Sequence, residues 1–257
     1  MILERSTMDS TKNFSGLANT YTAGRPAYAV GFIHSLYTDH GFSPQSVIAD
    51  IGAGTGKFTK QLLDRDSTVY CVEPNDDMRE TAAHELGSYA GFRTVKGTAD
   101  VTGLSSASVD FVTTAQAFHW FDPDAFRAEC RRILKPGGKA FLIWNLRDLA
   151  DGMNRRCHAV YKEFCPNFKD FGGGIERDDP RIKRFFGGVY DCAVFDHPLL
   201  YDKETFLRRS LSGSYSLKAG DARYADYIAA LGALFDTYAE NGLLTMANQT
   251  VVYYGTL

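Results

Sequence analysis

The sequence predicts an α/β fold: an open, mostly parallel sheet with helices packed on both faces. Three observations predict it. Short strand-like runs recur at 46–51, 68–72, 92–96, 109–113 and 140–144, the first and last of them strongly apolar. Segments with helical spacing of apolar residues stand between them. The first apolar run ends in a glycine-rich turn that opens directly into a helix.

The elements follow in order. Pro26 suits the first turn of a helix over about 25–38, with Val30, Ile33, Leu36 and Tyr37 as its apolar stripe. The run 46–51 (SVIADI) is the first strand, and 57–65 a helix with Phe58, Leu62 and Leu63 on one face. TVYCV at 68–72 is the second strand. Asn75 or Asp76 caps a helix carrying Met78, Ala82 and Leu86. Strands three and four are placed at 92–96 and 109–113. Asp122-Pro123 is a capping acid followed by proline at the first helical position, and Phe126, Cys130, Ile133 and Leu134 keep helical spacing behind it. Pro136-Gly137-Gly138 is read as the stop, and 140–144 (AFLIW) as the fifth strand. Beyond Arg147 the pattern loosens. It gives a helix at 152–165, loops around 171–174 and 186–188, a strand at 193–200 interrupted by Pro198, a helix at 222–240 and a last strand at 244–254. One domain is expected over 1–257, with an appended helical segment at 1–45, a core at 46–148 and the remaining strands with inserted helices at 149–257.

Composition narrows the function. The chain has 257 residues, enough for a sizeable core, and is 44% hydrophobic and 23% charged. A net charge of −3 argues against a strongly cationic nucleic-acid binder, so no nucleic-acid partner is expected. No apolar run is long enough to span a membrane, and the first residues do not read as a secretory leader. Cys71, Cys130, Cys157, Cys165 and Cys192 form neither a CxxC pair nor a zinc pattern, so reduced thiols, no metal and a cytoplasmic location are expected. A monomer or homodimer is expected.

The residues that carry chemistry begin at 50–56, DIGAGTG. Glycines at the end of a strand let the backbone approach a ligand, and the following helix offers its N–H groups. Glu73 ends the second strand, 21 residues after Gly52. An acid there can accept from both hydroxyls of a cofactor ribose. Three cofactor classes use such a loop. A Walker A loop needs GxxxxGK[ST], but Ile51 stands where its first glycine belongs and Phe58 replaces the Ser/Thr. The dinucleotide fingerprint is broken, because Lys57 holds the place of the third glycine. S-adenosylmethionine needs a Gly-rich turn for its amino-acid end and an acid for its ribose, but no pyrophosphate site.

DIGAGTG at 50–56, Glu73-Pro74 with Met78, GTAD at 97–100, SVDFV at 108–112, QAFHWF at 116–121, LKPGG at 134–138 and IWNLRD at 143–148 occur in one order. In that order the chain resembles the class I S-adenosylmethionine-dependent methyltransferases. The similarity is greatest to the small-molecule branch that includes trans-aconitate methyltransferases and quinone-biosynthesis C-methyltransferases, and it covers about 14–148. The resemblance implies a Rossmann-like sheet of seven strands, the last antiparallel, with an N-terminal lid and with helices between 150 and 240 roofing the substrate pocket. It implies S-adenosyl-L-methionine as cofactor and a small-molecule methyl acceptor, with O-methylation of a carboxylic acid as one expected reaction.

Residue by residue, it implies that Gly52, Ala53, Gly54 and Gly56 cradle the amino-acid end of the cofactor and that Glu73, followed by Pro74, holds the ribose. Met78 would lie on the adenine, Ala99 and Asp100 at its edge, and Gln116 near the transferable methyl. Tyr21 and Arg25 would belong to the lid, with Phe14, Pro26 and Tyr28 beside them, and Arg25 could pair with a carboxylate. His119 is the candidate base; packing among its aromatic neighbours is the alternative. Trp120, Asn145 and Arg147 are candidates for the acceptor pocket, the last two because they follow the fifth strand. The short pairs Arg131-Arg132, Arg155-Arg156, Lys183-Arg184 and Arg208-Arg209 read as solvated surface. Two rivals remain on sequence: a nicotinamide-dependent oxidoreductase, and a cofactor-binding protein without turnover.

Overall fold

The structure, a computed structural model, describes residues 26–171, 175, 179–213 and 215–257. Seven strands form one sheet in the order β3-β2-β1-β4-β5-β9-β6. They are β1 (Val47–Ile51), β2 (Thr68–Val72), β3 (Phe92–Val95), β4 (Val109–Ala115), β5 (Leu134–Arg147), β6 (Asp191–Asp196) and β9 (Asn248–Gly255). Strands β1 to β5 pair in parallel, whereas β9 runs antiparallel to both β5 and β6. This is the mostly parallel, seven-stranded sheet expected.

Helices cover both faces. One apolar layer joins α1 (Val30–Thr38) and α2 (Lys57–Leu63) to the sheet through Phe32, Leu36, Phe58 and Leu62, which meet Ile48, Phe141 and Ile143. The opposite layer joins α4 (Pro123–Ile133) and α6 (Pro180–Phe186) to it through Phe126, Ile133 and Phe185, which meet Val112, Leu142 and Trp144. Strand alternation separates the two sets: Phe141 and Ile143 face one way, Leu142 and Trp144 the other. The helix α3 (Asp76–Leu86) follows β2, and its N-cap is Asn75, whose side chain accepts from the Met78 N–H. Asp122 caps α4 and Pro123 opens it, as the sequence reads.

Beyond Arg147, a separate apolar core joins α5 (Gly152–Phe164), α7 (Lys203–Leu211) and α8 (Tyr224–Tyr238) to a two-stranded sheet, β7 (Leu199–Tyr201) with β8 (Leu244–Met246). Two chain segments read as single strands therefore divide. At His197-Pro198 one ribbon leaves the main sheet and becomes β7, because proline has no N–H for the ladder. At Ala247 the other ribbon makes the matching change from β8 to β9. The Ala247 carbonyl accepts from Asn154 Nδ2 at 2.7 Å, which fastens α5 to the corner.

Other expectations are corrected. Pro136-Gly137-Gly138 does not stand outside a strand: β5 already begins at Leu134, opposite Val109, and the proline and glycines lie in an irregularity of its register before Lys139 pairs with Phe111. Gly137 takes φ +80° there, which the other residue types tolerate poorly. The N-terminal helix starts at Val30, since residues 27–29 give their backbone groups to side chains of other elements. Val30 is exposed and Phe32 takes its expected place in the core. The helices α6 and α7 were not foreseen. Gly187, in left-handed conformation, closes α6 within the stretch read as a loop.

Inside the sheet, Asp50 is fully buried and accepts from Thr59 Oγ1 of α2 at 2.6 Å and Thr113 Oγ1 of β4 at 3.0 Å. Burial raises its pKa from 3.8 to about 6, although both threonine bonds pull it down; the nearby Glu73 charge adds to the rise. The folded chain therefore holds a proton that the unfolded chain has already lost between about pH 4 and 6. Stability from this group is full below pH 4 and falls as pH rises to 6, by about 3 kcal/mol at most. Asp50→Asn lacks that titration. In urea melts the variant should gain on the parent by about 1–3 kcal/mol as pH goes from 4 to 7; a difference independent of pH would show that Asp50 is not the source.

Candidate functional site

The strand order reverses between β1 and β4, and this is where an open α/β sheet has its crevice. The loop after β1 and the turn after β4 meet there. The chain leaves β1 through Gly52, Gly54 and Gly56, all at positive φ. Gly52 also has no room for a side chain: a Cβ would lie 2.7 Å from Ala117 Cβ and 3.0 Å from Phe121 Cζ. A Cβ on Gly56 would lie 2.5 Å from Leu86 Cδ1 of α3. Around Gly54 the space is open, with nothing within 4 Å of a Cβ. The loop is thus closed at its two ends and open at its middle. Ala53 N–H, like that of Gly52, donates to the Val72 carbonyl, which ties the loop to the end of β2.

Glu73 follows β2 directly. It is buried, and its carboxylate accepts from two backbone N–H groups, Gly54 to Oε2 and Asn75 to Oε1, each at 2.9 Å. Burial raises its pKa; the Asn75 and Gly54 N–H bonds and the charge of Arg79 act against that rise. Each oxygen keeps a lone pair beyond the bond it makes. The acid is therefore held rigidly beside the open middle of the glycine loop and can still accept two hydroxyl groups. Pro74 stands next to it, partly exposed. Met78 is buried in the first turn of α3.

Ala99 and Asp100 lie in the tight loop after β3. Thr98 N–H donates to Val101 O, and a Cβ on Gly97 would lie 2.5 Å from the Thr102 carbonyl. Asp100 is exposed, and Ala99 packs on the edge of the core. The loop is anchored from α4, where Glu129 accepts from both Thr102 N at 2.8 Å and Thr102 Oγ1. The Arg132 guanidinium, more than the Thr102 bonds, holds the Glu129 carboxyl down at about 2.

Gln116 follows β4 in left-handed conformation, with φ +58°, uncommon for a side chain of this size. Its N–H donates to Ile143 O, and its Nε2 donates to Asn145 O at 3.0 Å. A 3₁₀ turn, Phe118–Trp120, comes next. Phe118 is fully buried against Trp144 and Phe185, whereas Trp120 is half exposed. His119 is half-buried, its ring 4.9 Å from that of Trp120, and its carbonyl accepts from Arg181 Nη1.

Asn145 is a junction. Besides taking the Gln116 amide on its carbonyl, it donates from Nδ2 to Ala27 O at 2.8 Å and accepts from Thr250 Oγ1 at 2.7 Å. Thr250 Oγ1 in turn accepts the Ala29 N–H. Gln61 of α2 exchanges two bonds with the Tyr28 backbone, and His197 Nε2 lies 2.8 Å from Ala27 O. Residues 27–29 thus form a strap whose backbone is held by side chains of four elements or their ends. Thr250, Gln61 and His197 went unnoticed in the sequence, because each is brought to the strap by the fold and has no local signal. Tyr21 and Arg25, and Phe14, fall outside the described residues.

Arg147 ends β5, two residues beyond Asn145. Its guanidinium lies over the Phe171 ring at 4.1 Å and the Tyr161 ring at 5.8 Å, and Nη1 is 3.4 Å from Cys157 Sγ. Among the described residues no three His, Cys, Asp or Glu form a metal-binding group, and no helix is long and apolar enough to cross a membrane.

Residues 49–142 match the family model of a methyltransferase domain. An uncharacterised methyltransferase of Mycobacterium tuberculosis is 36% identical over 143 residues, which make up 56% of each chain. One from Schizosaccharomyces pombe is 33% identical over 138 residues, 53% of each. The match thus spans little more than half the length of these relatives. Among solved structures, a candidate type II methyltransferase from Anaeromyxobacter dehalogenans superposes with TM-score 0.61 over 90% of this chain and 97% of its own, at 20% identity. A candidate methyltransferase from an antibiotic biosynthesis pathway of Anabaena variabilis gives 0.58 over 91% and 99%, also at 20% identity. These last two speak for the fold. Residues 49–142 thus match a methyltransferase domain, and the sheet that contains them has the fold of these solved structures.

The strap can be tested directly. Thr250→Val removes the acceptor of the Ala29 N–H and one partner of Asn145. It should cost about 1–2 kcal/mol and speed hydrogen exchange of the Ala29 amide while leaving β1 and β4 protected. Unchanged exchange at Ala29 would show that the strap is held without this bond.

Proposed function

We propose that the protein transfers a methyl group from S-adenosylmethionine to a small-molecule acceptor, and that the acceptor is a carboxylic acid methylated on oxygen. One observation carries the cofactor: the buried Glu73 carboxylate, fixed by two backbone N–H groups beside the open Gly54. The donor set fits the group. Glu73 can take both ribose hydroxyls, and the loop around Gly54 leaves space for the amino-acid end. In this reading Asp100, exposed on its loop, takes an amine of the adenine, and Met78 in α3 packs against its flat apolar ring.

When bound, the cofactor supplies an activated methyl on a sulfonium; the acceptor's lone pair forms the new bond to carbon as the carbon–sulfur bond breaks, and S-adenosylhomocysteine leaves. The chain's contribution is placement and exclusion of water. Gln116, pinned by its backbone and by its amide to Asn145, forms a rigid wall at the end of β4. The strap over Asn145 closes that edge of the sheet. Gln116 and Asn145 are amides and take no proton at neutral pH. An acceptor already ionised at that pH needs no base, which favours a carboxylate over a phenol or carbon acid.

Two measurements test this reading. Glu73→Ala should weaken S-adenosylhomocysteine binding by about 1.5–3 kcal/mol in calorimetry, with the fold retained; equal affinity would take Glu73 out of the site. Release of S-adenosylhomocysteine should be measured against a panel of small carboxylic acids, phenols and quinones. With a carboxylic acid, His119→Ala should leave the pH–rate curve without a lost limb. A loss of about 10²–10⁴-fold in kcat together with a limb near the histidine range would make His119 a general base and the acceptor a weaker acid.

A further inference from the structure

Among the described residues, Arg147 is an enclosed cation that no carboxylate pairs. Its polar neighbours are the Cys157 thiol, 3.4 Å from Nη1, and the Tyr161 hydroxyl, and the rest of its surroundings are aromatic faces: Phe171 at 4.1 Å and Tyr161 at 5.8 Å. The Tyr161 hydroxyl is fully buried, and its own proton has no acceptor among the described residues. A buried phenol proton without an acceptor and an enclosed guanidinium without an acid are both costly to keep. Cation–π contact offsets part of that cost, but it leaves the N–H fork of the guanidinium uncommitted. Both groups lack the same thing, an anionic acceptor of hydrogen bonds.

The position is the carboxyl end of β5. Asn145, whose carbonyl receives the Gln116 amide, and Arg147 lie on one face of β5 by strand alternation, about 7 Å apart along the strand. The aromatic walls belong to α5 and the segment after it, which close over the end of the strand.

We propose that Arg147 and the Tyr161 hydroxyl form an anchoring site for a carboxylate of the acceptor, held against the aromatic wall of Phe171. This rests on the methyltransferase reading and adds a constraint to it. An oxygen engaged by a guanidinium is a poor nucleophile, because its lone pairs are occupied and its charge is compensated. The anchored carboxylate is therefore not the group that is methylated. The acceptor carries this carboxylate and a second nucleophilic oxygen, separated by about the length of the Asn145-to-Arg147 step, and the aromatic wall suits a planar body between them.

The test uses benzoate as the probe and benzamide as its uncharged counterpart, on the full chain saturated with S-adenosylhomocysteine, by ligand-observed magnetic resonance titration. Wild type should bind benzoate at least about tenfold more tightly than benzamide, the size of one charge-assisted hydrogen-bonded pair. Arg147→Met should abolish the preference, and Arg147→Lys should recover only part of it, since the lysine point charge lacks the fork. Tyr161→Phe should reduce it with the aromatic wall intact. Equal binding of the two probes by wild type, or a preference undiminished in Arg147→Met, would overturn the anchor. S-adenosylhomocysteine affinity of each variant is measured separately. If wild type fails to bind S-adenosylhomocysteine, the methyltransferase reading falls, while the benzoate preference still decides the anchor.

Discussion

The contact on which this structure depends is the one between Gly52 and the turn after β4. Two loops from the two central strands are packed so closely that a single methyl group on Gly52 would strike both Ala117 and Phe121. That closeness fixes the glycine loop, and the loop fixes Glu73, because the Gly54 N–H is one of its two backbone donors. It also fixes Gln116, which enters the turn in a backbone conformation that only surrounding structure can enforce. The positions of the buried Glu73 carboxylate and of the Gln116 side chain therefore derive from one steric constraint at the switch point of the sheet.

Around this point the protein keeps two acids where burial opposes their charge. Asp50 lies inside the sheet and Glu73 at its edge, and the Glu73 charge adds to the rise that burial gives Asp50. They are compensated differently. Asp50 has two threonine hydroxyls and no solvent, so its bonds stay within the fold, joining α2 and β4 across β1. Glu73 has two N–H donors on one side and open space beside Gly54 on the other. The first acid stabilises the geometry from which the second acts, at a cost in stability that is greatest at neutral pH. Proteins tolerate such costs where function sets the geometry.

Periodicity was sufficient for the centre of the sheet, where β1, β4 and β5 are largely buried and each covering helix carries one apolar stripe. Asp122-Pro123 announced α4 and Asn75 announced α3, since caps are local chemistry. The errors have long-range causes. A helix beginning at Pro26 was reasonable locally, but Ala27, Tyr28 and Ala29 are taken up by Asn145, Gln61 and Thr250, up to 221 residues away in sequence. Likewise Pro198 marks an interruption, yet only the pairing of β7 with β8 shows that the ribbon changes sheets there. For the site, DIGAGTG and Glu73 were legible because spacing along one βαβ unit determines their distance in space. Thr250 was not, because an interior threonine on a strand has no signature until its neighbours are known.

The strap and the aromatic cluster around Arg147 share two strands. β5 carries Asn145 under the strap and Arg147 in the cluster, two residues apart on one face, and β9 carries Thr250 opposite Asn145 and Asn248 opposite Arg147. The corner at Ala247, from which β9 enters the sheet, is held by Asn154 of α5, the same helix that brings Cys157 and Tyr161 to Arg147. A displacement of α5 therefore moves the Arg147 surroundings directly and pulls on β9, whose Thr250 holds the strap. The Asn154, Thr250 and Asn145 links are hydrogen bonds of 2.7–2.9 Å, so the α5 helix and the strap are joined through the β5–β9 pair.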